Sequence, residues 1–149
     1  MDEGLFAAQD AFLERLWSEV VDGCETSAEW PQRVRAAVQS VVAAVVEASN
    51  LARAFIVEAT GANFAAAERQ FALLDRFAQL LGEGRGHYRQ AVEMPPATER
   101  ALIGGVASII SAHLLAEEPN ALADAQPELV EFLLIPFLGK EGAAEVARS

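Results

Sequence analysis

Three features of this sequence have residue types and spacing that could support chemistry. Gly82-Glu83-Gly84-Arg85-Gly86 has the glycine density of a phosphate-binding loop, His113 stands four residues before Glu117, and Cys24 is the single thiol. Each fails on its surroundings. The glycine cluster follows a helical pattern and not a strand, and it lacks the Lys-Ser/Thr pair that holds phosphate and magnesium, so it reads as a helix stop and loop. The His113–Glu117 spacing can place two metal ligands on one helix face, but no third ligand is near and His87 belongs to a distant loop. His113 therefore reads as a satisfied buried histidine or as a polar contact of a pocket or interface. Cys24 has no neighbouring histidine to activate it, and Glu117-Glu118 reads as a solvated helix end. No nucleophile, base and oxyanion set can be assembled. The expectation is a protein that is not an enzyme and uses no metal or cofactor.

A binding site for a small molecule leaves a different trace, namely polar groups stranded on apolar stripes. Gln9 falls between Phe6 and Phe12-Leu13, Gln70 neighbours Ala67, Phe71 and Leu74, and His113 continues the stripe of Val106 and Ile110. Together with Trp17, Phe55, Phe71 and Phe77 they could line a mainly apolar cavity. Taken singly, the two glutamines also fit stripe edges and the aromatics an ordinary core. Trp30 reads as the apolar residue that fixes the chain's entry into a helix.

The elements that must position these residues are all helical. Leu5, Phe6, Phe12, Leu13, Leu16, Trp17, Val20 and Val21 recur on one face of a helix from Asp2 to about Asp22, which Gly23 should stop. Thr26 and Glu29 have capping-box spacing, while Pro31 allows the next helix to start near Trp30. That helix carries Val34, Val38, Val41, Val42, Val45 and Val46 to about Ala48. A short helix from Leu51 to Thr60 ends at Gly61, and Asn63 caps a fourth that carries Phe64, Ala67, Phe71, Leu74, Ala78 and Leu81. A fifth helix is expected from Ala97 to Glu117. A sixth should start near Pro127 and bend or end at Pro136, with a last piece from Lys140 to Arg148. No segment alternates with period two, so the class is all-α, a bundle of five to seven helices forming one domain over residues 1–149.

Composition narrows the function further. The net charge is -11, from 22 acidic and 11 basic residues, and the basic residues form no stripe. Because nucleic-acid binding relies on Lys and Arg displacing counterions, this chain alone should not bind DNA. The acidic Met1-Asp2-Glu3 start shows no signal peptide, and the uncharged run Ala101–Ala116 is too short and too polar to span a bilayer. With neither signal, no membrane association is expected, and a lone cysteine fits a reducing cytoplasm.

That uncharged run needs a cover. A helix apolar nearly all round must be shielded on most sides, and each glycine in its interior costs about 1 kcal/mol against alanine. Gly104-Gly105 therefore suggest close approach of another helix. Two such helices from each of two copies would make a two-fold four-helix interface. Its candidate residues are Leu102, Gly104, Gly105, Ile109, Leu129, Phe132, Leu133 and Phe137. The alternative is a central helix covered within one subunit.

Several segments resemble the C-terminal, ligand-binding and dimerisation domain of TetR-family transcriptional regulators. Ala52-Arg-Ala-Phe-Ile-Val-Glu-Ala-Thr-Gly61 resembles the family's sixth-helix region. Ile103-Gly-Gly-Val-Ala-Ser-Ile-Ile-Ser-Ala-His-Leu114 resembles its first dimerisation helix. Pro127-Glu-Leu-Val-Glu-Phe-Leu-Leu-Ile-Pro-Phe-Leu-Gly139 resembles the second, and Glu3-Gly-Leu-Phe-Ala-Ala the start of the helix linking head to body. The family's helix-turn-helix head would precede Glu3 and is not in this sequence, so the chain is expected to hold the sensing half without the output half. The resemblance implies a homodimeric repressor body that binds an apolar or amphipathic small molecule and moves the linking helix in response. The other readings are a homo- or heterodimerisation module without a ligand, which would act as a dominant negative on a full-length relative, and a small helical-bundle enzyme.

Overall fold

Apolar residues recurring every three or four positions decide where the helices lie. The computed structural model describes residues 3–25, 29–61 and 63–149, so Asp2, expected in the first helix, and Thr26 of the capping-box pattern lie outside the described residues. Among the described residues there are seven α-helices, one 3₁₀ turn and no strand. The chain is an all-α bundle.

Helix α1, Glu3–Glu25, buries Phe12, Leu13, Leu16 and Val20. It runs through Gly23, where the sequence pattern predicts a stop. A β-carbon there would stand 3.0 Å from Ser40 Oγ, so this glycine serves close packing on α2 rather than termination. Helix α2, Trp30–Glu47, starts with Pro31 in its first turn and buries Val34, Val38, Val42 and Val45. Helix α3, Ser49–Thr60, follows at 97° to α2 after a break at Ala48. Helix α4, Phe64–Gly82, begins where Asn63 accepts a hydrogen bond from the Ala66 amide at 3.1 Å, as a helix N-cap should. A 3₁₀ turn, Glu83–His87, and the single-turn α5, Arg89–Val92, lead to α6, Thr98–Leu115.

The last helical stretch, α7, Ala121–Arg148, departs from expectation at two prolines. It starts six residues before Pro127. Pro127 and Ala123, whose carbonyl the proline leaves without an amide, both keep contact with solvent, so water can serve that carbonyl. The sharp break is not at Pro136 but at Gly139, whose φ of 79° favours glycine. The carbonyls freed by that break are those of Ile135 and Pro136, and Gln90 Nε2 donates to both, at 3.3 and 2.9 Å.

Each of the six long helices touches two neighbours in a closed circuit, α1 to α2 to α7 to α6 to α4 to α3 and back to α1. Helix α3 also touches α6. Leu122, Leu134 and Phe137 of α7 and Leu114 of α6 are almost fully buried where α7 meets the rest. A circuit of helices about 10 Å thick leaves space at its centre unless large side chains fill it. No single helix among the described residues is long and apolar enough to cross a membrane.

Candidate functional site

The centre of the circuit is a cavity of about 340 Å³. Its walls come from every long helix. Phe12, Leu13 and Leu16 of α1 face Val38, Val42 and Val45 of α2, and Phe55 and Ile56 close one side. Leu73 and Phe77 of α4, Val106 and Ile110 of α6, and Leu129 and Leu133 of α7 complete it. A volume near the lower end of the range of about 300–1,000 Å³ for ligand pockets suits one small molecule. Only Gln70 and Ser111 bring polar groups to the middle of the wall.

Polar side chains gather at one end, where Cys24, Arg33 and Glu83 also line the space. Arg33 Nη1 lies 3.8 Å from Glu83 Oε2, and Cys24 Sγ donates weakly to the Arg33 carbonyl at 3.7 Å. Burial pushes the Cys24 thiol up from its usual range, with a smaller opposing effect of Arg33 and a reinforcing one of Glu83. A thiol so raised is a poor nucleophile at neutral pH. The neighbouring 3₁₀ turn is pinned by Arg85, whose Nε and Nη2 fork onto the two oxygens of buried Glu99 at 2.5 and 2.7 Å. Its remaining donors reach the carbonyls of Met94, at 2.7 Å, and Pro95, at 2.6 Å. The Arg85 hydrogen bonds hold the Glu99 carboxyl below its ordinary range, although burial works in the opposite direction.

The expected pocket residues divide. Phe55, Gln70 and Phe77 are brought together in the cavity wall. Trp17 stands behind the wall, its ring centroid 5.6 Å from that of Phe77. Gln9 is fully buried, but it faces Arg69, whose Nη2 donates to its Oε1 at 3.3 Å. Phe71 is 60% exposed under the Arg100 guanidinium and contributes nothing to the cavity, because one step of about 100° from Gln70 turns it outward. His113 is also outside the lining. The stripe of Val106 and Ile110 continues through Leu114, four residues on, and not through His113.

The expected interface residues divide in the same way. Leu102, Leu129, Leu133 and Phe137 belong to the chain's own core, with Leu129 and Leu133 in the cavity wall and Phe137 4.7 Å from the Trp30 ring. They cannot offer area to a second copy. Gly105 is explained inside the chain, since a β-carbon there would stand 3.0 Å from the Phe132 ring. Gly104 meets only the end of Arg100, at 3.4 Å, and Ile109 and Phe132 stay more than a third exposed. Arg33, Glu83 and Arg69 are not singled out by sequence pattern. Their only signal is position, with Arg33 beside Val34 on the valine stripe and Arg69 beside Gln70.

Among the described residues no group of three or more His, Cys, Asp or Glu is placed to hold a metal. Compared with protein-family models, curated proteins and solved structures, the chain matches none.

Proposed function

We propose that this chain is the small-molecule-binding and dimerisation body of a transcriptional regulator of the TetR type. A ligand at the centre of the helical circuit shifts α1, the helix that would carry a DNA-binding head. The observation that supports this best is the cavity itself: it is almost wholly apolar and α1 forms one wall through Phe12, Leu13 and Leu16. Anything that fills the space bears on that helix, and a ligand that prefers one position of α1 biases the equilibrium by its differential affinity. The net charge of -11 leaves DNA contact to other residues than these.

Dimerisation has separate support. Between Arg100 and Glu117 no charged residue interrupts α6; Ile109 and Leu115 are exposed on it, and Phe132 and Ile135 are exposed on α7, the helix it packs against. Large apolar side chains exposed on two adjoining helices of a strongly acidic protein favour a contact surface there. The same surface favours a second reading, a homo- or heterodimerisation module that binds no ligand.

Two measurements test the proposal. Titration with the neutral dye N-phenyl-1-naphthylamine should give saturable fluorescence enhancement, and sedimentation at micromolar concentration should give a dimer. A dimer that does not take up the dye supports the module reading instead, and a monomer without dye binding overturns both.

A further inference from the structure

The chain carries twice as many acidic as basic residues, 22 against 11, so an arginine without a carboxylate stands out. Arg15, Arg33, Arg53, Arg76, Arg85 and Arg100 each have one within 4.0 Å, and Arg35, Arg89 and Arg148, which have none among the described residues, bury no unpartnered side-chain donor. Arg69 has none among the described residues, although it is half-buried and packed between aromatic rings, its guanidinium 4.2 Å from the centre of Phe6 and 5.5 Å from that of Phe55. Its one hydrogen bond goes to Gln9 Oε1, at 3.3 Å. Arg69 Nε and Nη1 and Gln9 Nε2 are all buried and unpartnered, three donors on adjoining side chains. The other such atoms among the described residues are Trp30 Nε1, Arg33 Nε and one acceptor, Glu58 Oε2, which lies beyond 4.0 Å of any arginine nitrogen. Gln9 itself is fully buried. Buried donors find partners in folded proteins almost without exception, and a buried cation calls for an anion.

The donors stand directly behind one end of the cavity. Phe55, whose ring lies under the guanidinium, is part of the wall, as are Gln70 and Leu73, the next residue and the next turn of α4 after Arg69. Phe12, one turn beyond Gln9, is wall as well. Arginine is long and flexible enough for its head to swing past the Phe55 ring into the space. Arg33, the arginine at the other end, has Glu83 beside it and forms a pair with no net charge.

We infer that Arg69, with Gln9, receives the carboxylate of an apolar acid whose hydrocarbon body fills the cavity. This rests on the reading of the cavity as a ligand site and adds the chemical class of the ligand. A planar guanidinium binds a carboxylate through two parallel N–H donors, and the freed Gln9 amide can turn to the same oxygens.

The test compares octanoate with octan-1-ol, equal in chain length, as displacers of N-phenyl-1-naphthylamine from the whole chain. Octanoate should bind about tenfold more tightly or better, as a charge-assisted pair predicts. Arg69→Met should remove the preference and leave octan-1-ol binding as it was. Gln9→Glu places a carboxylate within reach of Arg69, so it should raise the thermal midpoint and also remove the preference, which keeps the test informative if Arg69→Met folds poorly. Arg33→Met should retain the preference. Equal binding of acid and alcohol, a preference that survives Arg69→Met, or one lost in Arg33→Met overturns this inference and leaves the cavity reading standing. Failure of both compounds and of the dye to bind overturns the two together.

Discussion

The backbone of Gly84 lies flat against the indole of Trp30, so closely that a β-carbon at residue 84 would fall inside the ring's van der Waals envelope. Trp30 is held in turn by Phe137, at 4.7 Å between ring centres, and by Tyr88, at 5.6 Å. The glycine-rich turn is therefore a packing device that lets the start of α2 meet the end of α4. Gly84→Ala should cost about 1–3 kcal/mol through overpacking, a drop of roughly 3–10 °C in Tm for a domain this size. Gly86 has nothing within 4 Å, so Gly86→Ala should change stability by less than about 0.5 kcal/mol. Thermal melts of the two variants side by side check the contrast.

The Arg85–Glu99 fork gives stability a defined dependence on acid. Because Arg85 holds the folded Glu99 carboxyl below its ordinary value of 4.5, the pair contributes fully above that value. Its contribution is lost as pH falls through the lower folded value. Glu99→Gln should cost about 2 kcal/mol at pH ~7, the scale of a hydrogen bond to a charged group. The gap between wild type and variant should shrink in melts taken at pH ~3, below the usual carboxylate range. A gap unchanged at low pH contradicts the assignment.

Filling the cavity separates binding from folding. Val106 is half-buried and lines the space, so Val106→Phe directs extra carbon into a void instead of into packed atoms. Stability should change by less than about 1.5 kcal/mol. Affinity for N-phenyl-1-naphthylamine should fall at least about tenfold, equivalent to about 1.4 kcal/mol. Dye titration beside a thermal melt reads both.

Charge on the exposed face of α6 tests self-association. Ile109 is 37% exposed and Leu115 51%. In the proposed dimer Ile109→Glu puts like charges opposite each other across the two-fold axis, so sedimentation should show monomer under conditions where wild type is expected to pair. The fold, read by circular dichroism, should be unchanged, because surface substitutions usually stay within about 0.5 kcal/mol.

Local signals are legible in the order of the residues alone. The N-cap at Asn63, the valine stripe from Val34 to Val45 and the pause at Gly61 are produced by neighbours in sequence, and α2, α3 and α4 form where their patterns lie. Glycine and proline are harder to interpret, because their meaning is set by what lies across from them. Gly23 faces Ser40, Gly84 faces Trp30 and Gly105 faces Phe132. None of these partners is announced by the residues beside the glycine.

Periodicity and charge are properties of the residues in order, so the helical class and the acidic balance can be read without any knowledge of packing. Which apolar face became cavity wall, which became core and which stayed outside followed from how the helices pack on one another. That packing turned Phe71 out and Leu114 in, buried Leu129 and Phe137 within the chain, and brought Arg69 to Gln9 across a separation of 60 residues. The reason is geometric: a helix presents several faces at once, and their fates depend on how six of them close into a circuit.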